Sequence, residues 1–288
     1  MNYRHAFHAG NFADVVKHAT LALVIEHLKK KPAPFRVIDT HAGCGLYDLA
    51  GEAAQRTGEW QGGIGRLIGP GAAPLPETIA GLLQPYLQAI AACNGQAPHQ
   101  VRYYPGSPRI ALALMRAEDR LIANELHPDD AALLAQAAGR DRRAKILALD
   151  GWQVLKATLP PRERRGIVLI DPPFEEPGEF QRLAQGLAAA VQRFATGTYI
   201  VWFPVKEQAA VEAFAGHLKN AGYGKVLWVE FAVRRPEPDQ KLAATGLAIL
   251  NPPFRLDDQL RVLLPALADI MTPDGGARVH IEWLSGEG

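Results

Sequence analysis

The sequence predicts an α/β fold: an open, doubly wound sheet of seven strands covered by helices and interrupted by one small helical insertion. Three observations carry this expectation. Short apolar, β-rich runs alternate with helical patterns along the 288 residues, as they do when a parallel sheet is wrapped on both faces. The early runs are continuously apolar rather than alternating, which suits strands buried on both sides. The segment between the first two strands is far longer than a crossover needs and has a helical period of its own.

Leu21, Val24, Ile25 and Leu28 repeat at helical spacing, and one turn back the same stripe reaches Lys17 and His18. A helix that precedes a strand runs antiparallel to it, which places Lys17 and His18 near the carboxyl edge of the sheet. The first strand is expected at 36–40. Residues 47–106 then form the insertion, in which Ile79, Leu82, Leu83, Tyr86, Leu87 and Ile90 recur around Pro85 between Pro/Gly-rich flanks. The main domain is accordingly 1–46 together with 107–288. Ser107-Pro108 reads as an N-cap followed by proline at the first helical position, opening the helix that leads into a strand at 120–125. Further strands are expected at 145–150, 166–171, 198–204, 225–233 and 246–251. The last two leave no room for a helix between them and should pair as an antiparallel hairpin at one edge.

The composition is 48% hydrophobic and 21% charged, with 31 Lys+Arg against 30 Asp+Glu and a net charge of +1. Disordered, collagen-like and disulfide-scaffold classes are excluded. Near-neutral charge also speaks against holding nucleic acid by bulk electrostatics, although a local basic face remains open. No apolar run approaches the ~20 residues that cross a bilayer. The opening Met-Asn-Tyr-Arg-His lacks an apolar signal core, so a cytoplasmic location with no membrane contact is expected. The two cysteines, Cys44 and Cys93, are not spaced as metal ligands, and no metal site is expected.

In open α/β sheets ligands bind beyond the carboxyl ends of the strands, and here those ends are polar. The first strand runs into Asp39-Thr40-His41-Ala42-Gly43-Cys44-Gly45, a Gly-x-Gly turn that lets a ligand approach the backbone. The second ends at Glu125, which can accept both hydroxyls of a ribose diol, and the third at Asp150-Gly151. Three such ends in succession point to a nucleoside-containing cofactor. The fourth strand ends in Asp171-Pro172-Pro173-Phe174, where two prolines remove donors and stiffen the chain. Such rigidity holds a carboxylate, a carbonyl and a ring at fixed separation. Asp171 and the Pro172 carbonyl can each accept one N–H of an exocyclic amine while Phe174 stacks on the ring that carries it.

The combination Tyr3-Arg4-His5-x-Phe7-His8-Ala9-Gly10-Asn11, Asp14-Val15-x-Lys17-His18, Asp39 to Gly43, Tyr103 to Pro108, Glu125 to Pro128, Asp150-Gly151 and Ile170 to Pro173 resembles the 23S ribosomal RNA adenine-N6 methyltransferases of the J type. The resemblance covers nearly the whole chain. It implies a class I S-adenosylmethionine-dependent fold, S-adenosyl-L-methionine as cofactor, and N6-methylation of one adenosine in 23S rRNA. By similarity His18, His41, Ser107, Glu125, Asp150 and Gly151 would bind the cofactor, with Gly43 in the adjoining turn, Asp171 would be catalytic and Tyr3 would touch the RNA. Arg4, His5 and Lys17 are the further candidate RNA contacts, and a monomer is expected. Two departures stand out: Phe174 replaces the tyrosine often found in the adenine-N6 motif, and His41 occupies a position where many methyltransferases have glycine.

A guanine-N2 or protein-glutamine methyltransferase of the same fold is the alternative, although asparagine would be more usual at position 171. A nucleotide-dependent oxidoreductase fails for want of a third glycine after Gly43-Cys44-Gly45, and a noncatalytic RNA-binding protein would not need the Asp-Pro-Pro-Phe strand end. A second motif, Asn251-Pro252-Pro253-Phe254, fits the amine-methylating pattern equally well, but it ends the returning arm of a hairpin and is expected further from Glu125.

Overall fold

The computed structural model describes residues 4–95, 101–235, 242–272 and 275–286. After a 3-10 turn at His5–Phe7 the chain enters α1 (Phe12–Lys29) and β1 (Arg36–Asp39). The insertion follows as β2 (Leu46–Asp48), three short helices α2 (Glu52–Thr57), α3 (Glu59–Gly62) and α4 (Ile64–Leu67), the long α5 (Glu77–Asn94) and β3 (Tyr103–Pro105). Then come α6 (Ser107–Leu114), β4 (Arg120–Asn124), α7 (Pro128–Ala138), β5 (Ala144–Leu147), α8 (Gly151–Thr158) and β6 (Gly166–Ile170). The remainder is α9 (Glu179–Arg193), β7 (Thr198–Pro204), α10 (Gln208–Asn220), β8 (Val226–Ala232), β9 (Ala244–Leu250), α11 (Leu256–Met271) and β10 (Arg278–Ser285).

The main sheet has eight strands in the order β10-β8-β9-β7-β6-β1-β4-β5. From β7 to β5 all neighbours are parallel, while β9, β8 and β10 join antiparallel. The order reverses at β1, which has β4 on one side and β6 on the other, so the crevice at its carboxyl end is the topological switch point where ligands bind.

Strand alternation builds a core on each face. Ile167 and Leu169 of β6 join the cluster that contains α1, α5, α6 and α11, whereas Val168 and Ile170 join the one that contains α8, α9 and α10. All five residues of β6 are buried, which explains its uninterrupted apolar sequence. The insertion shares the first core: Ile79, Leu83, Tyr86 and Ile90 of α5 pack with Val15, Ala19 and Leu264. Its two ends are tied by β2 and β3, a separate antiparallel pair in which Tyr47 faces Tyr104.

Three expectations need correction, the first being the strand count: the main sheet has eight strands where the sequence predicts seven. The β8/β9 hairpin does not form a sheet edge: β9 lies between β7 and β8, and β10 covers β8. The signal for β10 is present in Arg278-Val279-His280-Ile281-Glu282-Trp283, whose polar/apolar alternation is matched by alternating exposure. Ser107 is not an N-cap either. Gly106 occupies that position and Ser107 is the first helical residue, with its hydroxyl turned to Asp39 instead of its own helix.

Candidate active site

A cavity of about 380 Å3 opens at the carboxyl ends of β1, β4 and β6, within the size range of small-molecule sites. It is lined by His18, His41, Gly43, Ser107, Glu125, Asp150, Gly151, Asp171 and Pro172, together with His5 and Lys17. Residues scattered over more than 160 positions of sequence are thus brought to one wall, most because they end a strand or open a helix at the switch point, and Lys17 and His18 because α1 crosses the same edge.

The β1 end is shaped by backbone contacts. Glu125 accepts the Gly43 N–H at 2.9 Å through one oxygen and the His127 N–H at 2.8 Å through the other, so it organises the glycine turn as well as facing the cavity. Each oxygen retains a lone pair for a further donor. Burial raises the Glu125 pKa, opposed by these backbone donors. Gly43 has φ +59, and a Cβ there would meet the Tyr47 hydroxyl at 2.1 Å. At the β5 end Asp150 caps α8, one oxygen accepting from the Trp152 and Gln153 N–H groups at 3.0 and 3.1 Å. Gly151 lies under the His41 ring, whose Nε2 is 2.4 Å from where a Cβ would stand.

Thr40 fixes the protonation of His41. Its hydroxyl donates to the Leu169 carbonyl at 3.0 Å and lies 2.9 Å from His41 Nδ1. Both contacts are made together only if Nδ1–H donates to Thr40, which leaves Nε2 as an acceptor. Burial lowers the His41 pKa, opposed chiefly by Asp171, so the neutral ring is favoured.

Beneath this wall Asp39 is buried and accepts the Ser107 hydroxyl at 2.6 Å. Burial, reinforced by nearby Asp171, pushes its carboxyl up to about 7 although the Ser107 hydrogen bond opposes the shift.

At the β6 end Asp171 meets Lys17 at 2.5 Å, and Lys17 also meets Asp14 at 2.9 Å. Asp14 in turn lies 2.9 Å from His5 and accepts the Gly10 N–H. Burial opposes charge on Lys17, yet Asp14 and Asp171 outweigh it and raise its pKa. Burial likewise works against ionised Asp14, and His5 and Lys17 overcome it to hold this carboxyl well below its usual range. One carboxylate oxygen of Asp171 is therefore held by a permanent cation while the residue remains at the cavity wall.

The other expected residues are placed differently. Phe174 does not line this cavity: it has φ +52 and its ring packs edge-on against Phe180 at 4.9 Å and Trp202 at 6.0 Å. Lys17, read from sequence as an RNA contact, is instead buried between two carboxylates. Arg4 makes an exposed ion pair with Asp129, and Tyr3 lies outside the described residues. The second motif is at the opposite edge, because β9 runs antiparallel to β7 and its end pairs with the β7 start. There Asn251 donates to the Ala195 and Gly197 carbonyls, each at 2.8 Å, and supports the turn into β7.

Three lining or supporting residues were not anticipated from sequence. Trp152 sets its ring edge-on to His41 at 5.9 Å, and Tyr47 comes from the first strand of the insertion. Asp14 precedes Lys17 and His18 by three and four positions, which places all three on one helix face, and that spacing was the available signal.

Among the described residues no cluster of three His, Cys, Asp or Glu side chains is arranged to hold a metal, and no helix is long and apolar enough to cross a membrane.

A family model described as Ribosomal RNA large subunit methyltransferase D, RlmJ, matches residues 32–285. The chain is 41% identical over 285 residues to the Ribosomal RNA large subunit methyltransferase J of Escherichia coli (strain K12), covering 99% of both chains. It is 40% identical over 288 residues to the protein of the same name from Haemophilus influenzae, covering 100% of both. The solved structure of LPL1258 from Legionella pneumophila is similar at a TM-score of 0.84 and 31% identity, over 97% of this chain and 99% of that one. With a family match over most of its length and two full-length relatives at this identity, the chain belongs to the ribosomal RNA large subunit methyltransferase family described as RlmJ.

Proposed function

We propose that the protein transfers a methyl group from S-adenosylmethionine to the exocyclic N6 amine of an adenosine in 23S rRNA, with Asp171 as the catalytic residue. The observation that carries this reading is the position of Asp171-Pro172 on the wall shared with the Gly43 turn and Glu125. The residues present fit the cofactor. Glu125 offers free lone pairs to a ribose diol, His18, His41 and Asp150 are polar groups for the nucleoside and amino-acid ends, and Gly43 and Gly151 stand where side chains would collide with their surroundings. When bound, S-adenosylmethionine would supply an electrophilic methyl group to the cavity.

The chain's own part is to hold the amine. Lys17 keeps one oxygen of Asp171 engaged, so the other oxygen and the Pro172 carbonyl are the acceptors available for the two N–H groups of the target. Accepting both hydrogens draws the nitrogen lone pair out of conjugation with the base, which makes it a better nucleophile. An adenine reaching this wall must be unstacked, in single-stranded RNA or flipped from a helix. His5 lines this mouth, and Arg4, next to it on the amino-terminal segment, is held in an exposed ion pair with Asp129; both side chains are of the kind that meets phosphates and exposed bases.

Asp171→Ala is expected to abolish methyl transfer, by at least about a hundredfold if orientation of the amine is lost, while calorimetry still shows S-adenosylhomocysteine binding. Near-normal turnover in that variant contradicts the assignment.

A further inference from the structure

The wall at His18 is backed by two tyrosines that have no part in holding the amine. His18 Nδ1 is 2.7 Å from the Tyr104 hydroxyl, which is 3.0 Å from the Tyr86 hydroxyl. Both tyrosines are completely buried. The His18 and Tyr104 rings also stack, with centroids 5.6 Å apart and planes at 28°. The three residues come from α1, β3 and α5, so this chain of hydrogen bonds runs from the cavity into the insertion.

Its direction follows from counting protons. If Tyr104 donates to Nδ1 and Tyr86 donates to Tyr104, every hydroxyl proton is used and only a lone pair on Tyr86 is left over. In the reverse order Nδ1–H donates to Tyr104 and Tyr104 donates to Tyr86. The Tyr86 O–H then has no acceptor, because among the described residues Tyr104 is its sole hydrogen-bond partner. A buried donor without an acceptor is far more costly than an unused lone pair and disfavours that order by about tenfold or more. Burial pushes the His18 pKa down to about 3, so the ring is neutral and carries one proton. With Nδ1 accepting, that proton is on Nε2, which is 4.0 Å from Asp14 and beyond hydrogen-bond reach of it.

We propose that Tyr104 is a positioning residue whose hydroxyl fixes His18 as the Nε2–H tautomer, so that the cavity presents a constant donor to an anionic oxygen, the carboxylate of the cofactor's amino-acid end. The ligand in this statement rests on the S-adenosylmethionine reading; the tautomer is a property of the free protein. His41 has the opposite polarity, with Nε2 accepting. The two imidazoles are thereby matched to different ends of a ligand that carries both an anionic oxygen and N–H donors.

The test is a two-bond 1H–15N correlation spectrum of 15N-histidine protein, with the His18 signals identified by their loss in His18→Asn. The wild type is expected to show the Nε2–H pattern. Tyr104→Phe should shift it to a mixture of tautomers and raise the S-adenosylhomocysteine Kd about tenfold, the loss of one aligned donor to a charged group. Tyr86→Phe removes another buried hydroxyl of the same chain but leaves the Tyr104 donation intact. It should keep both the pattern and the Kd within about twofold, which a merely structural role for these tyrosines would not allow. An Nδ1–H pattern in the wild type overturns the proposal, as does a Tyr104→Phe protein with an unchanged pattern. An altered pattern with unchanged affinity overturns the donor role. A wild type that binds no S-adenosylhomocysteine contradicts the cofactor reading and the assigned ligand, while the tautomer patterns of the free proteins still decide the role of Tyr104.

Discussion

Glu125 and Asp39 show how two carboxylic side chains take opposite parts, one on the cavity wall and one beneath it. Glu125 sits at a strand end with both oxygens steadied by backbone N–H groups, so its remaining lone pairs are aimed and already desolvated. Glu125→Ala is expected to weaken S-adenosylhomocysteine binding about tenfold or more, since a hydrogen bond to a charged acceptor contributes roughly 1.5–3 kcal/mol. An unchanged Kd by calorimetry contradicts the ribose assignment. Asp39 is buried one layer below, with its carboxyl pushed up from 3.8 to about 7. A carboxyl whose pKa is raised by folding binds more protons in the folded state than in the unfolded one between those values. Its contribution to stability therefore falls as pH rises from about 4 to about 7 and is constant above. The full shift corresponds to about 4 kcal/mol. Asp39→Asn removes this group, so the melting temperature of the variant relative to wild type should rise between pH 5 and pH 8. A difference that is flat or falls over that interval contradicts a buried, late-ionising Asp39. Much of this wall was legible in the sequence because a polar residue ending an apolar run has few structural reasons to be there: Asp171, Glu125, Asp150 and His41 all reach the cavity. What a residue does with its second face was not legible. Asp150 also caps a helix, Glu125 also ties a glycine turn, and Lys17 is satisfied by two carboxylates, Asp14 on its own helix and Asp171, which is 154 positions away in sequence.

At the level of elements, two near-identical motifs part company because their strands run in opposite directions. Asp171-Pro172-Pro173-Phe174 follows the parallel β6 and reaches the ligand edge, whereas Asn251-Pro252-Pro253-Phe254 follows the antiparallel β9 and reaches the other edge. The backbone distinguishes them as well: the left-handed residue is Phe174 at φ +52 in the first and Asn251 at φ +48 in the second. Asn251 holds two carbonyls of the turn into β7, and asparagine tolerates that conformation better than most residues. Asn251→Ala should therefore cost about 1–3 kcal/mol of stability yet retain most methyl transfer at a temperature where the variant is folded. Loss of activity in a folded, cofactor-binding Asn251→Ala protein would place a function at this second motif. Helical periodicity revealed α1 and α5 because their apolar stripes face a core. The short pair β2/β3 escaped notice because three-residue strands carry too few positions to show a period. The eighth strand, β10, carries a clear alternation but lies alone after α11, where no partner strand adjoins it in sequence.

Across the whole molecule, the reversal of strand order at β1 decides where chemistry can occur. It opens a crevice between the β4 and β6 sides, and the amino-terminal helix closes it by bringing Lys17 and His18 to the same edge. The insertion is joined to this crevice from behind through Tyr47, Tyr86 and Tyr104, so it shares both the core and the wall of the site. Two arginines outside the crevice are tied into the structure: Arg143 pairs with Asp141 and holds carbonyls of Leu112 and Met115, and Arg165 holds the Ala33 carbonyl. Such an arrangement fits a protein of net charge +1 that selects one base at a shaped pocket. The proposed methyl acceptor is a single adenine amine in 23S rRNA. The most direct test of this assignment is transfer of tritium from labelled S-adenosylmethionine to rRNA taken from cells lacking the protein, followed by digestion to nucleosides and mapping of the labelled position. Label is expected in N6-methyladenosine at one site, and none with Asp171→Ala. Label in N2-methylguanosine, or in protein rather than RNA, would contradict the assignment.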